Sequence, residues 1–253
     1  MSNLVLNRAG AKGRGYTFED TGIEIFSYEE LCYYICQNPV LFVEEWCTFS
    51  LLNWISKELQ MEEMARQMNG YSQNSSLQVS VILSYGDYMN RRKAESVLEE
   101  IQGMQKGSRI QFHKKKGDCY LTYGKFFRAR KEYRQLLKQE HLIPDKIFLG
   151  NIYHNMATTY LMDRDIEEGK EYARKAFANN PNKDTCFQYL LLIYLEGGES
   201  QVKEAATELG LSMEVQLSFL EKITQQRKQI QNYDKKIEYM LEQWKKQYRM
   251  ETT

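Results

Sequence analysis

Apolar side chains recur along this chain mostly at the spacing of amphipathic helices. Leu51, Trp54, Ile55, Leu59, Met64 and Met68 fall near one face of a helix expected from Ser50 to Met68. Only the opening reads otherwise. Leu4-Val5-Leu6, Tyr16-Thr17-Phe18 and Ile23-Glu24-Ile25-Phe26 have the look of short strands. The last two, joined by Glu19-Asp20-Thr21-Gly22, predict a small β-hairpin. Ser27-Tyr28-Glu29-Glu30 then has the form of a capping box, with helix following through Leu31 and Tyr34 to Gln37. Pro39 marks a break before a further helix from about Val40 to Cys47. Asn69-Gly70 closes the longer helix, and the polar run Ser72 to Ser76 reads as a linker.

Beyond residue 75 the pattern repeats. Tyr85, Tyr120, Tyr160 and Tyr194 are 35, 40 and 34 residues apart. Nine residues past the first three stand Ala94, Ala129 and Gly169; thirteen past, Leu98, Tyr133 and Ala173; sixteen past, Ile101, Leu136 and Ala176. Small residues at a fixed place let two antiparallel helices approach closely, so each unit is expected to be a helix hairpin. In the fourth unit Lys203 falls at the small-residue place and the register fades.

Residues 150–183 resemble a tetratricopeptide repeat. Tyr153, Met156, Ala157 and Tyr160 match the large, large, small and aromatic places of that family's first helix; Gly169, Ala173 and Ala176 match its second, and Pro181 closes the unit. The unit before it matches through Gly117, Tyr120, Gly124, Phe126, Ala129, Tyr133 and Leu136, with an insertion from His141 to Pro144. Residues 76–103 and 184–210 match more weakly, so the resemblance covers about half the chain. The expected fold is therefore all-α: a tetratricopeptide-like solenoid over 75–210, a small, mostly helical N-terminal region over 1–74 with a short β-hairpin, and a long C-terminal helix over 211–253. In that helix Ile223, Ile230, Tyr233, Ile237, Met240, Trp244 and Tyr248 form a near-heptad stripe. It is expected to cap the open end of the repeat stack, to pair with a second copy in a homodimer, or to stand unattached.

Composition supports helix, since only 3 of 253 residues are proline. The balance of 42% hydrophobic and 27% charged residues, with zero formal net charge, argues against a disordered or strongly polyanion-binding chain. The longest apolar run, Pro39 to Leu52, is interrupted by Glu44 and Glu45, so no membrane span is expected. Residues 1–15 lack the apolar segment of a signal peptide, and the five cysteines have no framework spacing; a cytoplasmic protein with reduced thiols is expected.

The zero net charge hides a basic band. Residues 91–138 hold 14 basic and 5 acidic groups, clustered at Arg91-Arg92-Lys93, Lys114-Lys115-Lys116 and Arg128-Ala129-Arg130-Lys131. Such a band attracts acidic peptides, phosphates or nucleic acid, or simply forms a solvated helix face.

Catalytic chemistry finds no constellation. His113, His141 and His154 have no metal-ligand spacing, and Cys32 and Cys36, one helical turn apart, have no convincing third ligand; no metal and no cofactor is expected. Gly10-Ala11-Lys12-Gly13-Arg14-Gly15 lacks the Ser/Thr and the helix of a phosphate-binding loop and reads as a flexible tail. Carboxylate pairs such as Glu29-Glu30 and Glu62-Glu63 are adjacent, so on a helix they diverge by about 100°.

The expected function is therefore a non-enzymatic adaptor or scaffold. The resemblance implies a concave groove for a partner's peptide or helix, and carries its groove positions onto Lys114, Asp118 and Leu121; Asn151, His154, Asn155, Thr158 and Leu161; and Gln188 and Leu192. The family's clamp for a C-terminal carboxylate needs lysine and asparagine. Lys114 stands at the lysine place but Asp118 replaces asparagine, and an acid repels a carboxylate, so chaperone-tail binding is not expected. The alternatives are nucleic-acid binding through Arg91, Arg92, Lys93, Lys115, Lys116, Arg128 and Arg130, with Tyr120, Phe126, Phe127 and Tyr133 as stacking groups, and a peptide-sensing regulator. The N-terminal segment filling the groove is a further alternative.

Overall fold

A computed structural model describes residues 14–251 except Asp87 and Pro144, with side chains through Lys245. The Leu4-Val5-Leu6 strand and most of the glycine-rich tail lie outside the described residues. The described part is mostly helical, with eleven α-helices and one two-stranded ribbon. The hairpin pairs β1 (Tyr16–Phe18) with β2 (Ile23–Ile25), Thr17 opposite Glu24, and Gly22 takes the positive φ of 75° that ends its turn.

Ser27 caps α1 (Tyr28–Gln37) by accepting from the Glu30 N–H at 3.2 Å. Glu30 reaches back to the Phe26 N–H, one residue before the place expected of a capping box. Two expected helices take other forms. The Val40–Cys47 helix is instead a single 3₁₀ turn, Pro39–Phe42, which sinks Val40 and Phe42 into the core. The Ser50–Met68 helix is two, α2 (Phe49–Lys57) and α3 (Glu62–Gly70), with Gln60 left-handed at φ 59° between them. A straight helix over those residues would run about 28 Å. Folding back instead lets Leu51, Ile55, Met64 and Met68 share one core.

The Ser72–Ser76 linker is only a turn, because Asn74 already caps α4 (Ser75–Ser84). Then follow α5 (Arg91–Lys106), α6 (Arg109–Thr122), α7 (Phe126–Leu137), α8 (Lys146–Met162) and α9 (Ile166–Asn179). A continuous apolar cluster takes in residues from Ile25 to Phe112, so α4, α5 and the start of α6 pack with the N-terminal helices.

Close contacts show α6 with α7, and α8 with α9, as antiparallel pairs. Gly117 of α6 lies under the Tyr133 ring of α7; Gly150 of α8 lies against Asn180, just past α9, and Gly169 of α9 against the Ala157 carbonyl of α8. Each pair is joined by the same turn. Gly124 at φ 66° and Arg164 at φ 63° follow the helix ends, and the next N–H reaches back five residues: Lys125 to Tyr120 O at 2.8 Å, Asp165 to Tyr160 O at 3.0 Å. This is the Schellman arrangement. Tyr120, Tyr133, Tyr160, Ala129, Ala173 and Ala176 are buried, whereas Tyr85 stays partly exposed, edge-on to Tyr28.

Helix α10 (Lys183–Glu208) is broken at Gly198, φ 74°, four residues past Tyr194 as Gly124 and Arg164 are past theirs. After the break Val202 and Ala206 are buried and Lys203 is exposed. At this place the buried face thus lies one position off the sequence register, on Val202 rather than Lys203. Helix α11 (Met213–Glu251) lays Val215, Phe219, Leu220 and Ile223 on Leu190, Ile193 and Val202, and beyond Arg227, which rests over the Tyr194 ring, its described side chains are exposed.

Candidate functional site

Helix α6 presents Lys114 and Asp118 one turn apart. Asp118 is the hub: its Oδ1 accepts from Lys114 Nζ at 2.8 Å, Tyr133 OH at 2.7 Å and Asn155 Nδ2 at 2.7 Å, and its Oδ2 accepts from Lys114 at 2.6 Å. Three helices, α6, α7 and α8, meet on one carboxylate. Ionised acceptors make the stronger hydrogen bonds, so the network fixes this face as well as decorating it. Burial raises the Tyr133 phenol well above its ordinary pKa, and the Asp118 charge adds to it.

A second network lies one turn further along α8. Gln188 Nε2 donates to the His154 carbonyl at 3.0 Å and to Thr158 Oγ1 at 2.8 Å, tying α10 to α8. His154 Nδ1 and Gln188 Oε1 are buried without a hydrogen-bond partner among the described residues. Burial holds the His154 imidazole below its ordinary pKa; Asp184 and Gln188 oppose this and Lys114 reinforces it.

Lys114, Asp118, Asn155, His154 and Thr158 are therefore brought together, half-buried, on the α6–α8 face, with Leu121 and Leu161 at partial exposure. Gln188 and Leu192 are buried and serve as ties between helices rather than as surface. Asn151 stands apart, accepting from Asn180 at 2.9 Å.

The same Asp118 lines a cleft of about 690 Å³ between the N-terminal segment and α6. Its walls include Glu24, Ile25, Glu30, Tyr33, Tyr34 and Asn38 on one side and Glu100, Lys115, Cys119 and Tyr123 on the other. Four carboxylates face one ammonium there. Sequence reasoning allowed the N-terminal segment to cover the groove but named none of these wall residues, because 71 residues separate α1 from α6 and no local pattern announces how they meet. The N-terminal segment borders α6 at Asn38, which accepts from Cys119 Sγ at 3.5 Å, and α7 at Asp20, paired with Arg128.

Several members of the basic band are paired with carboxylates. Arg91 pairs with Glu95, Lys115 with Glu100, and Lys116 with Glu44 at 2.7 Å and Glu132 at 3.8 Å. Arg130 meets Asp163, donates to the Thr159 carbonyl at 3.2 Å and lies over the Tyr160 ring. Arg92 and Lys93 are exposed at the start of α5. Of the expected stacking groups, Tyr120 and Tyr133 are core, Phe126 is half-buried and Phe127 is exposed. All five cysteines are free thiols. No helix among the described residues is long and apolar enough to cross a membrane.

Set against family models, curated proteins and solved structures, the chain matches none.

Proposed function

We propose that this chain is an adaptor of the helical-repeat kind, similar to tetratricopeptide proteins, which takes an extended segment of a partner protein along the α6–α8 face and the adjoining cleft. Support for the repeat character comes from the shared turn four residues past Tyr120 and Tyr160, the positive-φ break at the same place past Tyr194, and the glycines and alanines where helices touch. The observation that carries the binding reading is the double position of Asp118. It closes the network that holds α6, α7 and α8 and also lines the cleft, so a bound segment would meet a preorganised surface. The acidic lining favours a segment with cationic or amide groups over one ending in a carboxylate.

A random peptide library displayed on phage and panned against the full chain tests this. The expected result is an enriched consensus containing Lys, Arg or Asn, whose binding falls at least ~10-fold in Tyr33→Ala and in Glu24→Lys. Absence of enrichment above an unrelated helical protein would overturn the reading. The nucleic-acid alternative rests on the exposed Arg91-Arg92-Lys93 turn. It is tested by retention on single-stranded RNA at low salt, which must weaken steeply toward physiological salt.

A further inference from the structure

Among the described residues the outer part of α11 is an amphipathic helix that packs on nothing. From Lys228 to Glu251 it runs about 36 Å past the body. In proteins most of a helix's stability comes from packing its amphipathic face rather than from propensity. Ile230 is 59% exposed, Tyr233 67%, Ile237 53% and Trp244 59%, all on the stripe that begins where Ile223 leaves the core. In heptad terms Ile223, Ile230, Ile237 and Trp244 occupy the a places, and Tyr233 and Met240 occupy d places between polar d residues, Gln226 and Gln247. We infer that this segment pairs with the same segment of a second copy, as a parallel, in-register two-stranded coiled coil.

Three arguments choose that occupant. Ile230, Ile237 and Trp244 recur at a strict seven-residue spacing, the repeat that keeps a seam facing a second helix in a coiled coil. In the parallel alignment each glutamine faces its own counterpart, and Gln229–Asp234 and Lys236–Leu241, the flanking pairs between chains, set no like charges together. An antiparallel alignment that overlaps the free helices either sets Asp234 against Asp234 and Lys236 against Lys236, or places Gln247 opposite Ile230. Finally, the stripe offers on the order of 600 Å² per chain, hence roughly 1,200 Å² in the pair, within the range of specific dimers. The inference does not depend on the peptide-binding face.

Sedimentation equilibrium of the full chain tests it. The expected mass at micromolar concentration is twice the 30.0 kDa of one chain. Ile230→Lys/Ile237→Lys, altering only exposed positions, raises the dimer Kd by more than ~100-fold, while Ile230→Leu/Ile237→Leu retains the dimer. Met240→Cys forms a disulfide-linked dimer under mild oxidation that the wild-type chain, with its five native cysteines, does not. A monomeric wild type, a larger oligomer, or a dimer indifferent to the lysine pair would overturn the inference. A lysine-sensitive dimer in which Met240→Cys fails to cross-link would overturn the parallel alignment.

Discussion

Gly117 gives the sharpest test of how α6 and α7 pack. A Cβ built there lies 2.5 Å from Tyr133 Cε1 and 2.9 Å from Cδ1 and Cζ, and Tyr133 is fully buried with its hydroxyl held by Asp118 at 2.7 Å. Gly117→Ala must therefore displace the ring or part the helices. Overpacking of this kind costs about 1–3 kcal/mol, and weakening a hydrogen bond to a carboxylate adds about 1 kcal/mol. Alanine's helix propensity returns about 1 kcal/mol. The net expectation is a loss near 2 kcal/mol, or a fall in Tm of about 4–8 °C for a chain of this length. Gly103, exposed in α5 with nothing within 4 Å of a built Cβ, is the control. There Gly103→Ala gains the propensity alone and raises Tm by about 2 °C. Thermal melts followed by circular dichroism compare the two. If Gly117→Ala melts at or above the wild type, as Gly103→Ala should, the close packing of α6 on α7 is wrong.

Arg164 holds a left-handed φ of 63° where the equivalent turn has Gly124, so Arg164→Gly is expected to stabilise by about 1 kcal/mol and raise Tm; an unchanged or lower melt would contradict the turn geometry. His154 has its pKa lowered in the folded chain, chiefly by burial, so the unfolded chain binds the proton more readily. Its contribution to stability is present above pH 6.5 and is lost on acidification below it; urea melts at pH 7.5 and 5.5 should show a drop that His154→Gln reduces. Burial pushes the Cys32 thiol up to about 12, and Cys47 and Cys119 to about 11. Iodoacetamide at pH 7.5 should therefore modify these three more than ~100-fold slower in the native chain than in guanidinium, as read by intact-mass spectrometry.

Local patterns were enough wherever the decisive forces act within a few residues. The β-hairpin, the Ser27 cap and the start of α11 follow from turn residues, side-chain acceptors and spacing along the chain. Buried Tyr120, Tyr160 and the small residues at Ala129, Ala173 and Ala176 were likewise legible, because a position that must face another helix restricts size in every unit. Apolar spacing alone, however, could not show that the run from Ser50 to Met68 folds back at Gln60, since the same residues satisfy one long helix or two short ones. The size of the available core decided between them.

The candidate site divides the same way. Lys114, Asp118, Asn155 and Thr158 are put on one face by the resemblance to a tetratricopeptide repeat, which implies that the first helices of successive units share a groove. That Asp118 would bind Tyr133 and Asn155, that Gln188 would be buried as a tie to His154, and that α1 would wall a cleft beside α6 required three dimensions. The basic band is the clearest instance. Sequence fixes its charge, but only the fold sets Glu44, Glu132 and Asp163 beside Lys116 and Arg130. Composition and period determine which elements form because their causes are short-range. Electrostatic pairing and cleft shape depend on distances between segments far apart in the chain, and only packing sets those distances.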